Sequence, residues 1–311
     1  MPVCFDIGGT NIRSGWPDEV GIVQIAGQRA TPGDSLADFL ATMVDMVQQA
    51  PAAQQDFVAI SIAGFADPQT GALTIANIPC LKGENLAGLL EARLNMPVVV
   101  VNDADCLALA ETYAGAAKGA ANVFAIVLGT GVGGGLVLNG ELVVGVGGIS
   151  GEWGHGPIVD PTAGGRVESL GYFQCGCGQK GCLDTVGGAR GIENVHNALH
   201  NAERNAEQIL DAWRAGDEAA ALSVEVSTEM VARALSAFVN MLGPESIPVG
   251  GGLAHAKDLI ALIDQKVRGM VLTTYELPLV VPAHNLKNAG LVGAAFINPT
   301  SGRPNKVRGV S

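Results

Sequence analysis

The chain has 311 residues, 48% hydrophobic and 15% charged, a length and balance that suit two soluble globular domains with ample core. Its net charge of −12 argues against nucleic-acid and membrane-surface partners, which select a basic footprint, so a polyanionic ligand would have to be held locally by backbone N–H groups and a cation. The 43 glycines follow no collagen period and point to many tight turns.

Val3 to Phe5 predicts a buried strand, and Gly8-Gly9 bends the chain where side chains would block an incoming group. Thr10 and the exposed N–H groups of that turn suit phosphate oxygens, and Asp6 suits a metal ion that travels with phosphates; a tight hairpin without a ligand is the alternative. The start carries neither a basic n-region nor a long apolar stretch, so no secretory signal is expected and the cytoplasm is the expected compartment. Leu36, Phe39, Leu40, Met43, Val44 and Val47 recur at three- and four-residue steps and predict a helix behind a capping Asp34. Phe57 to Ala63 reads as a buried strand ending at Gly64. Strand ends in α/β sheets open onto ligand crevices, so the loop from Gly64 to Asn77 is either a substrate wall or a plain surface loop.

Leu86 to Leu94 predicts a helix and Pro97 to Val101 a strand, after which Asn102-Asp103-Ala104-Asp105 enter a helix that runs to about Gly115. Carboxylates at such a junction serve as helix caps, the role expected of Asp105. Asp103, directly at the strand end beside Asn102, is better placed to face a crevice and accept a proton. Residues 119–140 carry no charge, but seven glycines in that window exclude a spanning helix. Within it Gly129, Gly131 and Gly134 satisfy the dinucleotide pattern G-x-G-x-x-G. That pattern needs a helix after the glycines, and here Leu136-Val137-Leu138 followed by Asn139-Gly140 predicts a hairpin. Two strand–glycine turn–strand units about 120 residues apart suggest a duplicated architecture that clasps one phosphate chain.

Gly191 to Trp213 and Asp217 to Leu242 have long amphipathic patterns, Ile247 to Gly252 makes a third strand-to-glycine turn, and Asn288 to Ala295 opens a last helix before a polar, fraying tail from Ser301 to Ser311. Of six cysteines, Cys4, Cys80 and Cys106 are scattered in apolar contexts as small buried hydrophobes. Cys175, Cys177 and Cys182 put three thiols within eight residues, a density that outside oxidising compartments signals a metal. Zinc takes four ligands, and the nearest upstream histidine is His155. A Cys₃His site is closed and therefore structural.

With Asp6-Ile-Gly-Gly-Thr10, Asn102-Asp103, Gly129-Thr-Gly131, Glu152-x-Gly-His155, the three clustered cysteines and Gly250-Gly-Gly252 assembled, the chain resembles the ROK family of sugar kinases and repressors nearly end to end. Ala76 to Pro79, Asn102 to Leu109, Gly129 to Leu138 and Cys175 to Cys182 look most like that family's bacterial N-acetylglucosamine kinases. The resemblance implies an α/β fold of two actin-like ATPase (ribonuclease-H-like) domains around a central cleft. Residues 1–116 plus 288–311 would form the N-terminal domain with its returning C-terminal helix, and 117–287 the C-terminal domain with the zinc site. It also implies ATP, Mg²⁺ and structural Zn²⁺ as cofactors, a homodimer, and no nucleic-acid or membrane partner.

By the same resemblance Asp103 is the base that takes a proton from the 6-hydroxyl of N-acetyl-D-glucosamine. Asp6, Gly8, Gly9, Thr10 and Asn11, with Gly129, Thr130, Gly131, Gly133, Gly134 and Gly135, hold the phosphates and their metal; Gly250, Gly251 and Gly252 lie near the adenosine. Asn102, Glu152, His155 and Asp184 bind the sugar, with Gly64 and Asn77 on its wall, and His155 also ligates zinc with Cys175, Cys177 and Cys182. Two positions depart from the pattern: Asp184 stands where glutamate is usual, and Lys287-Asn288 where an aspartate is common. A repressor of the family would carry a helix-turn-helix before the first phosphate motif, where only five residues precede Asp6. A dehydrogenase is disfavoured by the hairpin after Gly135, and glucokinase or fructokinase is the alternative within the family.

Overall fold

In a computed structural model, which describes residues 1–18, 23–51, 53 and 55–297, the chain divides into two units. The tail from Ser301 lies outside the described residues. In chain order β1 (Pro2–Ile7), β2 (Asn11–Pro17), β3 (Val23–Ala30), α1 (Leu36–Gln48), β4 (Phe57–Ile62), β5 (Gly64–Ala66), β6 (Leu73–Ile75), α2 (Leu86–Leu94), β7 (Val98–Asn102) and α3 (Asp103–Ala114) begin the first unit. The second unit takes β8 (Val123–Leu128), the start of β9 (Val132–Leu138), then α4 (Ala189–His200), α5 (Ala206–Arg214), α6 (Glu218–Leu242), β11 (Ile247–Gly250), α7 (Lys257–Arg268) and β12 (Val280–Pro282). Residues 135–150, with β10 (Glu141–Leu142), belong to the first unit, as do His284 onward with α8 (Ala289–Ala294).

The first unit is built on a sheet of order β3-β2-β1-β4-β7. β1 and β4 are apolar on both faces and almost wholly buried, as a strand covered from both sides must be, and they pair in parallel. Register sets Asp6 of β1 opposite Ser61 of β4 and Arg13 of β2. Helix α8 lies so close to this point that a Cβ on Gly290 would run into the Asp6 carboxylate and the Ser61 hydroxyl. A second sheet has the order β10-β9-β8-β11-β12, in which β8 and β11 are parallel and β9 and β10 form the predicted hairpin through Asn139-Gly140, both at positive φ. The uncharged window 119–140 is therefore two strands, and among the described residues no helix is long and apolar enough to cross a membrane.

Local chemistry departs from expectation at three places. Ser35, not Asp34, caps α1, its hydroxyl accepting the Asp38 N–H at 3.3 Å. Asn102 rather than Asp105 caps α3, accepting from the N–H groups of Ala104 and Asp105; Asp105 sits in the first turn and is 4% exposed. The single helix expected over 191–213 is two helices. Asn201 turns left-handed at φ 50°, and Asn205 with Gln208 forms a capping box that restarts the chain as α5.

Glu111 on α3 is fully buried and accepts from the N–H groups of Ala116, His284 and Asn285 and from the Asn285 side chain, at 2.7–3.0 Å. It closes the end of α3 onto the segment that leads into α8. Removing it strands several buried donors at once, each costing roughly 1–3 kcal/mol. Glu111→Leu should lower the denaturant midpoint of the first unit sharply, by an equivalent of about 3 kcal/mol or more. Equilibrium unfolding in urea checks this, and Glu111→Gln should cost less.

Candidate active site

The first glycine turn joins β1 to β2. The Gly8 N–H bonds the Asn11 carbonyl at 3.0 Å, Thr31 bonds the carbonyls of Thr10 and Gly8, and Gly9 and Thr10 stand exposed at the tip. A Cβ on Gly9 would sit 3.1 Å from Asn77, so these two predicted residues are neighbours. Asp6, at the base of the turn, is about a quarter exposed, with its Oδ2 3.9 Å from Arg13 Nη1. Burial raises its pKa above the ordinary carboxylate value, and the Arg13 charge offsets this only in part. The buried Ser61 hydroxyl lies beside it, with the Cys106 thiol as a neighbour. A largely buried carboxylate at the base of a glycine turn fits a hydrated divalent cation of the Mg²⁺ class, which keeps most of its waters and takes one protein carboxylate.

At the end of β7, Asp103 is exposed at the first helical position of α3. Its neighbour Asn102 uses its amide twice: the oxygen caps α3, and Nδ2 donates to the Gly64 carbonyl at 3.0 Å. That bond ties the loop after β4 to the strand end that carries Asp103. Beside it lies a cavity of about 400 Å³, lined by Phe65, Asp67, Val100, Asn102, Asp105 and Val144 among others.

The second glycine turn, Gly129-Thr130-Gly131, joins β8 to β9 and is closed by the Gly129 N–H on the Gly131 carbonyl at 3.0 Å. Four neighbours fix it from outside. Asp184 Oδ1 accepts the Val132 N–H at 2.8 Å, and a Cβ on Gly131 would collide with that carboxylate. The N–H groups of Ala189 and Arg190 at the start of α4 donate to the carbonyls of Gly129 and Thr130. Trp153 Nε1 donates to the Gly133 carbonyl at 2.8 Å. The third turn supplies the fourth: Gly251, at φ +84°, lies against the backbone of Leu128 and Gly129, where no side chain fits. Gly134 and Gly135 are buried within β9, so Gly129, Thr130, Gly131 and, in part, Gly133 form the accessible portion of the run. Next to Gly252 a cavity of about 320 Å³ is lined by Ala206, Leu210, Arg214, Leu253 and His255.

His155, Cys175, Cys177 and Cys182 converge, with their ligand atoms all within 4.8 Å of one another. His155 Nδ1 lies 3.6 Å from Cys175 Sγ, and Cys177 Sγ 3.6 Å from Cys182 Sγ. The other ring nitrogen, Nε2, lies 3.8 Å from the Glu152 carboxylate, the arrangement by which an outer carboxylate orients a ligating imidazole. The Gln179 N–H holds the exposed Cys177 thiol below its ordinary value, whereas burial pushes the Cys175 thiol up. Three sulfurs and one imidazole at this spacing suit a tetrahedral metal ion with no open position. Asp184, two residues after Cys182, is directed at Val132 and at Arg190, whose Nη2 lies 3.6 Å away. This joins the cysteine loop to the second glycine turn.

The sequence matches the ROK family over residues 2–300. The chain belongs to the ROK family. It is 32% identical over 297 residues to an N-acetyl-D-glucosamine kinase of Photobacterium profundum, covering 94% of this chain and 98% of the relative. Among solved structures a ROK hexokinase from Thermus thermophilus superposes with a TM-score of 0.80 at 26% identity, over 94% of this chain and 96% of that one. A ROK family glucokinase from Streptomyces griseus, solved with glucose and AMPPNP, gives 0.71 at 28% identity, over 94% and 97%. Both units therefore have the expected actin-like α/β architecture. Sequence reasoning did not single out Arg190, Trp153 or Ser61 at these turns, since nothing in their spacing distinguishes them from ordinary packing residues.

The raised pKa of Asp6 carries a prediction for the metal-free protein. A carboxyl whose folded pKa exceeds its unfolded value binds more protons when folded, so stability falls as pH rises from the unfolded value through the folded one. Above that window the penalty is constant. Asp6→Asn should unfold no more easily than the parent near neutral pH, and the advantage should vanish in acid. Unfolding curves across pH without divalent cations check this.

Proposed function

We propose that this ROK protein is an ATP-dependent sugar kinase that phosphorylates the 6-hydroxyl of N-acetyl-D-glucosamine. The observation that carries the reading is the near full-length likeness to N-acetyl-D-glucosamine kinases, joined to an exposed carboxylate, Asp103, at the end of β7. Phosphoryl transfer asks little covalent chemistry of a protein: it needs alignment, neutralisation of charge and a base for the attacking hydroxyl. Asp103 is the base, accepting the proton from O6 as that oxygen attacks the γ-phosphorus of ATP. Asn102, bonded to Gly64, positions the sugar beside it, with Asn77 on the wall, and Glu152, His155 and Asp184 are the further sugar contacts that the family resemblance implies.

The N–H groups at the tips of the two turns, those of Gly9 and Thr10 and those of Thr130 and Gly131, receive phosphate oxygens, and the cavity beside Gly252 receives the adenosine. Asp6 would hold Mg²⁺ through its water shell, and the ion would offset the charge of the phosphates. Zn²⁺ is the metal that suits His155, Cys175, Cys177 and Cys182, where it fixes the loop that carries Glu152 and His155. A cytoplasmic homodimer follows the family resemblance.

A coupled ATP-consumption assay over N-acetylglucosamine, N-acetylmannosamine, glucose, mannose and fructose tests the substrate, with the highest kcat/KM expected for N-acetylglucosamine. A clear preference for glucose or fructose would move the chain to the alternative activities of the family. Asp103→Asn should bind sugar with little change and lose about 10²- to 10⁴-fold in kcat; near-normal turnover would refute the role of Asp103. Metal analysis of Cys177→Ser should show zinc lost, accompanied by protease sensitivity between Gly151 and Gly156, and full zinc content would contradict the assignment.

A further inference from the structure

The second glycine turn is packed against a cation that no motif explains. Arg190 occupies the second position of α4, and its main chain is pinned to the turn by its own N–H on the Thr130 carbonyl at 3.3 Å, next to the Ala189 N–H on the Gly129 carbonyl at 2.8 Å. Gly188, the residue before Ala189, lies so close to the carbonyls of Thr130 and Gly131 that a side chain there would collide with them. The Arg190 side chain, by contrast, is 57% exposed, and its ion-pair partner, Asp184 Oδ2, stands 3.6 Å from Nη2, beyond hydrogen-bond length. Asp184 itself is 16% exposed and fixed, with Oδ1 on the Val132 N–H and its own N–H on the Gly154 carbonyl at 2.9 Å.

As a surface ion pair this arrangement would contribute little, on the order of 0–1 kcal/mol. As a phosphate contact it is well built. A guanidinium presents five donors in a planar fork, and most of Arg190's remain available to an incoming anion. The carboxylate behind it limits its swing without saturating it. In a chain of net charge −12, a cation beside the phosphate turn opposes a field that would otherwise repel a polyanion.

We infer that Arg190 is a phosphate-binding residue of the second glycine turn, contacting the β- or γ-phosphate of the nucleotide, and that Asp184 is the positioning residue that aims it. The inference rests on the kinase reading of this turn and adds to it a named cation for the phosphate chain. It also gives the aspartate that replaces the usual glutamate a role of its own. With one methylene fewer, its carboxylate stays back against Val132, where it restrains the arginine.

The test compares Arg190→Ala, Arg190→Lys and Arg190→Gln with the parent in zinc content, steady-state kinetics and calorimetric binding of AMPPNP, ADP and adenosine. Loss of one charge-assisted contact is worth about tenfold to a hundredfold. Arg190→Ala should weaken AMPPNP binding and lower kcat/KM for ATP by that factor. Adenosine binding, the KM for sugar and zinc content should stay within about twofold. Arg190→Lys should recover part of the loss and Arg190→Gln little of it, and added guanidinium ion should rescue Arg190→Ala but not the parent. Asp184→Asn, at a residue also read as a sugar contact, should weaken AMPPNP binding by a smaller factor and leave adenosine binding unchanged.

The inference is overturned if Arg190→Ala and Arg190→Gln leave AMPPNP binding within twofold, or if adenosine and AMPPNP weaken equally. A rise confined to the sugar KM would also overturn it, placing Arg190 at the sugar instead. A parent enzyme with no phosphoryl transfer to any hexose would instead defeat the kinase reading, and the two failures are separate readouts.

Discussion

The hydrogen bond from the Val132 N–H to Asp184 is the contact on which the second unit's functional geometry depends. It fastens a glycine turn, whose one side chain is the exposed Thr130, to a loop fixed by four convergent metal-type ligands. The start of α4, the Trp153 indole and the third glycine turn complete the clamp. A backbone that must receive a ligand through its own N–H groups cannot also be stabilised by side chains on that face. Its rigidity has to come from behind, and here it comes from carbonyls and carbons packed at the limit of approach. The first unit solves the same problem differently. The turn after β1 is braced by Thr31, and the carboxylate beneath it is pressed between Arg13, Ser61 and α8.

Much of this was legible in the sequence because glycine, cysteine and asparagine carry narrow structural meanings. The two glycine hairpins, the third turn and the Cys₃His group are read from residues whose alternatives are few. The apolar runs of β1, β4 and β8 announce buried strands, and α2 falls on the predicted residues 86–94. The choice against a dinucleotide fold likewise rests on a local signal, the hairpin after Gly135, and β9 bears it out.

What the sequence concealed depends on contacts between distant residues. Periodicity ran through Asn201 because an amphipathic pattern continues on both sides of it, yet its left-handed backbone and the Asn205 capping box divide the helix. Asp34 and Ser35 are both good caps, and only geometry decides between them. The engagement of Asp184 with Val132, 52 residues away, has no sequence signature, and neither does the position of Arg190 beside the turn. The packing of Gly290 against Asp6 is equally invisible, although it links the last helix to the first strand.

These constraints support one chemical account: phosphate held by backbone, charge balanced locally in an acidic chain, and a single exposed carboxylate accepting a proton. The most direct test of it is NMR of the product formed from ATP and ¹³C-labelled N-acetylglucosamine. The account predicts one new phosphomonoester, with phosphorus coupling seen at C6 and ADP released in equal amount. ADP release without a sugar phosphate, or phosphorus coupled to any other carbon, would contradict it.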